Sequence, residues 1–306
     1  MNTTLFVFFG NEVHLSHLLG AILYIVLAPF IGGFIAGVDR KVSARMQGRV
    51  GPPILQPFYD VSKLFGKERI TVNNAQDFYI LCTLIFMVVS GVFFFSGSNL
   101  LMMIFTLTAA SIFLVLAGFS SNSPYAQIGA EREMLQIMSY EPMVLLVAVG
   151  FYMVEGSFNV GDIVTSGTFP FPYLVGMFIG FIFILTIKLR KSPFDLSTSH
   201  HGHQELVKGL TTEFSGRTLA LLEITHWYEN VFLLGFIFIF FAKNALLYSV
   251  LGVAVVIVCY FAEILIDNAY ARMKWQFTIK SAWIVTLIFG GGNLFVLYYL
   301  RMFLQY

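Results

Sequence analysis

The chain has 306 residues, 58% of them hydrophobic, with a mean hydropathy of +0.80 and only 11% charged residues, less than half of the roughly 25% usual in soluble domains. That composition excludes an ordinary soluble enzyme and describes one polytopic membrane domain over residues 1–306, since no Ser/Pro/Gly-rich linker or low-complexity run divides it. A formal net charge of +1 offers no polycationic surface for nucleic acid.

A spanning helix needs about 20 mostly apolar residues. In chain order, such runs fall at 15–38, 78–95, 100–119, 134–154, 171–189, 218–242, 245–266 and 281–303. The expected fold is therefore an all-α integral membrane bundle of about eight helices. The sixth must recruit the polar stretch 218–230 to cross, so that stretch should face protein or water rather than lipid. No Lys or Arg precedes the first run, so the segment lacks the positive region of a cleaved leader and the first helix is expected to be retained.

Eight spans put both termini on one side. The loops between helices 1 and 2, 3 and 4, 5 and 6, and 7 and 8 carry 7, 1, 5 and 3 of the 18 Lys and Arg residues, leaving only Lys243 and Arg301 opposite. Short cytoplasmic loops collect cations. The expectation is both termini outside, with the amphipathic loops 39–77 and 188–217 on the cytoplasmic face. No repeat of two related halves, the mark of many secondary transporters, is evident.

Cys82 and Cys259 sit alone in apolar stretches, without the CxxC spacing that would hold zinc or an iron–sulfur cluster. No GxGxxG or GxxxxGK[ST] fingerprint occurs. The three histidines of His200-His201-Gly202-His203 cannot complete a fixed coordination shell alone, and no metal site is expected. Any redox centres must then lie in partner chains.

An ionisable residue inside a span costs at least about 2.5–3.5 kcal/mol, which makes each one a functional candidate. Glu141 lies about two turns inside the fourth span, within Ser139-Tyr140-Glu141-Pro142. Glu223, His226 and Glu229 recur every third residue and share one broad side of the sixth. Glu263 and Asp267, one turn apart near the end of the seventh, either join such a set or form a solvated helix end near Arg272 and Lys274. Carboxyls and histidine at these depths suit proton relay, because burial favours the neutral acid and histidine titrates near neutrality unaided. The segment 40–69 mixes seven cations with apolar residues. Its tail places Val61, Leu64 and Phe65 on one helical side, which fits either an interfacial helix at the headgroups or a docking surface for an acidic partner.

Several ordered segments resemble the H-subunit family of respiratory complex I, and more closely its counterpart in energy-converting, membrane-bound nickel–iron hydrogenases of the archaeal and Ech types. They are Gln47-Gly48-Arg49-Val50-Gly51-Pro52, the run Gln56 to Glu68, Gly118-Phe119-Ser120-Ser121-Asn122-Ser123, Arg132 and Ser139-Tyr140-Glu141. Gly156-Ser157-Phe158-Asn159 with Asp162, Ser192-Pro193-Phe194-Asp195, Gln204-Glu205-Leu206 and Glu213-Phe214-Ser215-Gly216 follow. The resemblance implies eight spanning helices and cytoplasmic loops that seat an iron–sulfur arm, with Arg49, Gln56, Asp60, Lys63, Lys67, Glu68, Arg132, His201 and His203 in the docking surface. It also implies that the glutamates matching Glu141, Glu205 and Glu213 couple redox chemistry to proton movement.

Departures from the complex I pattern point toward the hydrogenase type. Gly51-Pro52 runs directly into Pro53-Ile54-Leu55-Gln56 where complex I chains carry a short extra segment, and His201, His203 and His226 stand where complex I has acids near its quinone chamber. The implied function is the membrane anchor and coupling subunit of a ferredoxin-dependent, hydrogen-evolving complex that translocates H+ or Na+. This chain would hold no cofactor and no catalytic centre. The NiFe centre and iron–sulfur clusters would reside in hydrogenase large and small subunits and an iron–sulfur subunit on the cytoplasmic face, beside antiporter-like membrane subunits. A sulfur-reducing module on the same anchor, a quinone reductase and a stand-alone transporter are the alternatives.

Overall fold

The computed structural model describes residues 4–8, 11–68, 73–198, 208–243 and 245–304. A short antiparallel hairpin, β1 (Thr4–Phe8) with β2 (Asn11–His14), precedes the helices; the all-α expectation did not include it. The helices are α1 (Leu15–Met46), α2 (Gln56–Phe65), α3 (Asn74–Phe95), α4 (Leu100–Phe119), α5 (Pro124–Glu155), α6 (Val160–Thr165), α7 (Val175–Lys188), α8 (Gly216–Ile239), α9 (Leu246–Ala269), α10 (Trp275–Val285) and α11 (Gly292–Leu304).

Among the described residues, six helical stretches are long and apolar enough to cross a membrane: 17–46, α3, α4, α5, α9 and the 275–302 stretch. The remaining expected spans correspond to α7, which is apolar but only 14 residues long, and to α8, whose first half is polar. Several boundaries differ from the sequence reading. α1 runs eight residues past Val38, so the start of the expected loop 39–77 is helical, and α5 begins ten residues before Met134. Lys, Arg and Glu are good helix formers, so hydropathy ends a span before the helix itself ends. α7 starts late because Pro170 and Pro172 hold 171–174 in turns. The last stretch keeps its course through a π-helical segment at Thr286–Gly291.

α4, α5, α7 and α8 form the middle of the bundle. Phe181 stacks on Phe236 with centroids 4.8 Å apart, Phe151 meets Phe240 at 4.9 Å, and Phe94 meets Phe232 edge-on at 5.4 Å. α1 and α8 are tied by reciprocal bonds: Tyr24 Oη donates to the Tyr228 carbonyl at 3.1 Å, and Tyr228 Oη to the Ile25 carbonyl at 2.7 Å. Gly32 permits this closeness, since a Cβ there would lie 2.3 Å from the Trp227 carbonyl oxygen. The outer faces of α1, α9 and α11 expose Leu19, Phe30, Val258, Ile257 and Phe295, an apolar exterior suited to lipid.

The two ends of the bundle are built differently. At one, the turns after α3 and α5 pair through the Leu100 amide on the Phe158 carbonyl and the Val160 amide on the Ser98 carbonyl. At the other, α1, α7 and α9 end, α2, α5 and α8 begin, and the polar side chains gather.

Candidate functional site

The end of α7 and the segment that leaves it carry Lys188, Arg190 and Lys191, and the three cations go to different partners. Arg190 has φ 51°, a left-handed conformation that costs a residue with a Cβ about 1–2 kcal/mol. It turns the guanidinium inward, toward α5 and α8.

Arg190 Nη2 lies 2.7 Å from Glu133 Oε1, and its Nη1 lies 2.7 Å from His226 Nε2 and 4.0 Å from Glu229 Oε2. Guanidinium can only donate, so Nε2 accepts, and the His226 imidazole is neutral with its proton on Nδ1. Ser197 Oγ also donates to Glu133. Burial works against a charged Arg190, but the facing carboxylates of Glu133 and Glu229 outweigh it and hold the guanidinium more firmly protonated than usual. Lys188 Nζ reaches Glu229 Oε1 at 2.9 Å, donates to Tyr140 Oη at 3.0 Å and to Ser111 Oγ at 3.1 Å, and sits 4.6 Å over the Tyr140 ring. The four central helices, α4, α5, α7 and α8, thus meet at two buried cations, two buried carboxylates and one neutral histidine. Beside them a cavity of about 330 Å³ is lined by Arg40, Lys188, Arg190, Glu223, His226 and Glu229.

Lys191 points the other way. Its Nζ lies 2.6 Å from Asp39 Oδ2 on α1 and 3.7 Å from Asp267 Oδ2 on α9. Asp267 Oδ1 accepts the Ser192 amide at 2.6 Å, and Tyr260 Oη donates to Asp39 at 3.3 Å. Glu263, one turn deeper on α9, is fully buried and accepts from Thr186 Oγ1 of α7 at 3.3 Å.

The expected relay residues therefore fall into three places. Glu223, His226 and Glu229 share the cavity wall as their spacing implied. Glu141 is half-buried and accepts from Thr108 Oγ1 of α4 at 2.6 Å. It lies one residue beyond Tyr140 and so about a quarter-turn away from Lys188. Glu263 and Asp267 belong to the Lys191 cluster; Glu263 is completely buried and so is not part of a solvated helix end, whereas Asp267 is partly exposed. Glu213 is half-buried just before α8. Glu205, His201 and His203 lie outside the described residues. Among the described residues, no group of three or more His, Cys, Asp or Glu is arranged to hold a metal.

α2 lies on the bundle, burying Val61 against Ala220 and Trp227, with Phe58 5.1 Å from the Trp227 ring. Phe65 departs from the expected apolar side and is exposed, because the helix ends there and turns away at Gly66. Lys63, Lys67 and Glu68 are exposed, as is Arg49, which donates to Gln47. Asp60 pairs with Arg40 at 2.7 Å and accepts from Gln56 at 2.8 Å. Slight burial raises its affinity for a proton, but those two donors prevail and hold the carboxyl below the usual range. Arg132 is half-buried near the start of α5.

Sequence pattern alone does not single out Asp39, Glu133, Lys188, Arg190 and Lys191. In the sequence Lys188, Arg190 and Lys191 look like ordinary loop charge, and Glu133 stands one residue outside the apolar run. The available signal was a Lys-x-Arg-Lys cluster directly abutting a span, where cations need partners.

Known proteins resemble this chain in sequence and in fold. The profile of the NADH dehydrogenase family matches residues 19–298. The H-subunit of the NADH-quinone oxidoreductase of Bacillus cytotoxicus is 30% identical over an alignment of 330 positions, gaps included, covering 95% of this chain and 93% of that protein. That of Carboxydothermus hydrogenoformans is 31% identical over 228 residues, covering 67% of this chain and 63% of the relative. Among solved structures, a chain of the archaeal membrane-bound sulfane sulfur reductase, a respiratory membrane complex, superposes with a TM-score of 0.78 at 26% identity, over 92% of this chain and all of that one. With a match running almost from end to end, this chain belongs to the NADH dehydrogenase family, that of the complex I H-subunit.

Proposed function

We propose that this chain is the membrane anchor and coupling subunit of a ferredoxin-dependent, hydrogen-evolving respiratory complex, linking electron transfer in partner subunits to H+ or Na+ translocation. The observation that carries the reading is the buried Lys188–Glu229–Arg190–Glu133 network with neutral His226, set against a cavity at the loop-bearing end. In this reading α7 and α8 complete eight spans, both termini face outward, and 39–77 and 188–217 form the cytoplasmic seat for hydrogenase large, small and iron–sulfur subunits. Arg49, Gln56, Asp60, Lys63, Lys67, Glu68, Arg132, His201 and His203 lie in that seat. Electron arrival shifts these loops and redistributes Arg190 and Lys188 among their carboxylates. Protons then pass among Glu141, Glu205, Glu213, Glu223, His226 and Glu229, with Glu263 and Asp267 at a second cluster, toward antiporter-like subunits.

The hydrogenase form rests on the Gly51-Pro52-Pro53 and His200-His201-Gly202-His203-Gln204-Glu205 motifs. The likeness to a sulfane sulfur reductase chain favours a second form, the same anchor beneath a sulfur-reducing module. Gentle purification of the complex through a tag on this chain, with mass spectrometry and metal analysis, separates them. Nickel with a hydrogenase large subunit is expected; a nickel-free complex that reduces polysulfide would establish the second form, and a chain that emerged alone would overturn both. Glu141→Gln is expected to assemble and evolve hydrogen while the gradient formed per hydrogen collapses.

A further inference from the structure

Among the described residues, Glu263 is the one buried acid of the two clusters without a cationic partner. Among the described residues no Lys, Arg or His nitrogen lies within ion-pair distance of it, its Oε1 accepts only the Thr186 hydroxyl, and its Oε2 is buried with no hydrogen-bond partner. The side chain is fully inaccessible, although α9 itself is one of the least enclosed helices of the bundle. An ionised carboxylate so placed would bear the full desolvation penalty uncompensated, so the group is a neutral acid in this state.

A cation able to change that stands one turn away. Lys191 Nζ is shared by Asp39 at 2.6 Å and Asp267 at 3.7 Å. Glu263 and Asp267 are four residues apart on α9, so their Cβ atoms lie about 5–6 Å from each other, within the swing of a lysine with four rotatable bonds. Among the described residues, the titratable groups that act on the site are Lys191 from the segment after α7, Asp39 from α1, and Cys259, Tyr260 and Asp267 from α9 itself. α8 meets α9 three turns away, through Phe238 and Phe241 against Gly252. Three acids thus compete for one lysine.

We propose that Glu263 is a proton-binding site separate from the Arg190 network. It carries a proton while Lys191 is held by Asp39 and Asp267, and releases that proton to water at the loop-bearing end when Lys191 swings from Asp267 to the Glu263 carboxylate. The charge of the cluster then falls by the one proton released. The inference rests on the coupling reading for its use in translocation, but protonation of Glu263 can be read independently of it.

The test is labelling of the intact complex in native membranes with dicyclohexylcarbodiimide, which adds across its C=N bond to a protonated, apolar-sited carboxyl and leaves a stable acylurea. Mass spectrometry of the α9 peptide is expected to show the adduct on Glu263 and to lose it in Glu263→Gln. Labelling should fall by up to about tenfold per pH unit once the acid titrates, and Lys191→Gln should label throughout that range, because the cation that would stabilise the carboxylate has been removed. Absence of the adduct while other membrane carboxyls label, or protection by excess sodium, would overturn the proposal, the second outcome in favour of a sodium site. If labelling behaves as expected but Glu263→Gln leaves the gradient per turnover intact, the proton site stands and its part in coupling falls.

Discussion

Arg190 and Arg40 each hold a carboxylate at 2.7 Å, yet the two pairs differ in what they contribute. Arg190 and Glu133 are 14% and 3% exposed, whereas Arg40 and Asp60 are 42% and 38% exposed. Removing one partner of a buried pair leaves an uncompensated charge, at about 3–5 kcal/mol; an exposed pair contributes below about 1 kcal/mol. Arg190→Gln is therefore expected to lower the unfolding midpoint of the purified complex sharply, and Asp60→Asn to leave it almost unchanged. The Asp60 contribution has a definite pH direction. Because its carboxyl is held below the usual range, the pair stabilises at and above ordinary carboxylate pH and is lost as pH falls through the lowered value. Asp60→Asn should accordingly flatten only the acid end of a stability-against-pH curve. The relay candidates Glu223, His226 and Glu229 were legible as residues because ionisable groups in a span stand out. Their counter-ions were not, because Lys188 and Arg190 look like ordinary loop cations until the chain folds back.

At the scale of elements, the site depends on how closely α5 approaches the turn at Gly209–Thr211, which follows the segment 199–207. A Cβ on Gly129 would lie 2.2 Å from the Leu210 amide nitrogen, and the Leu210 amide in turn donates to the carbonyl of Ser197, the residue whose hydroxyl bonds Glu133. Gly129→Ala should cost about 1–3 kcal/mol by overpacking and loosen the seat of Glu133, read as a lower unfolding midpoint and faster hydrogen exchange over 192–198. The amphipathic pattern of α2 showed which residues face inward at Val61 and Leu64, and it fits an interfacial helix or a docking surface for an acidic partner equally well. In the folded chain Val61 packs on Ala220 and Trp227 of the same bundle, and Lys63 and Lys67 are left on the outside. α8 follows the same logic: its polar first half is tolerated because Thr225 is buried and His226 and Glu229 face the interior.

For the whole molecule, the distribution of 18 cations predicts a single orientation. Single cysteines at Lys67 and Lys243, in a Cys82→Ser, Cys259→Ser background, should react with an impermeant maleimide from opposite faces, Lys67→Cys only in inside-out vesicles; labelling of both from one face would sink the eight-span arrangement. Composition, apolar run length and charge asymmetry were enough to determine from sequence that this is a polytopic helical membrane chain and where most of its helices lie, because lipid permits so few backbone solutions. The ordered motifs were enough to identify its family. Only the tertiary structure decided which charges are paired: that Arg190 turns to Glu133 and His226, that Lys188 reaches Glu229, and that Lys191 is shared by Asp39 and Asp267 while Glu263 meets no cation among the described residues. Such partners lie between 36 and 152 residues apart in the chain. Desolvation drives each buried charge to whatever counter-charge the packed helices bring near, and no local periodicity records that choice.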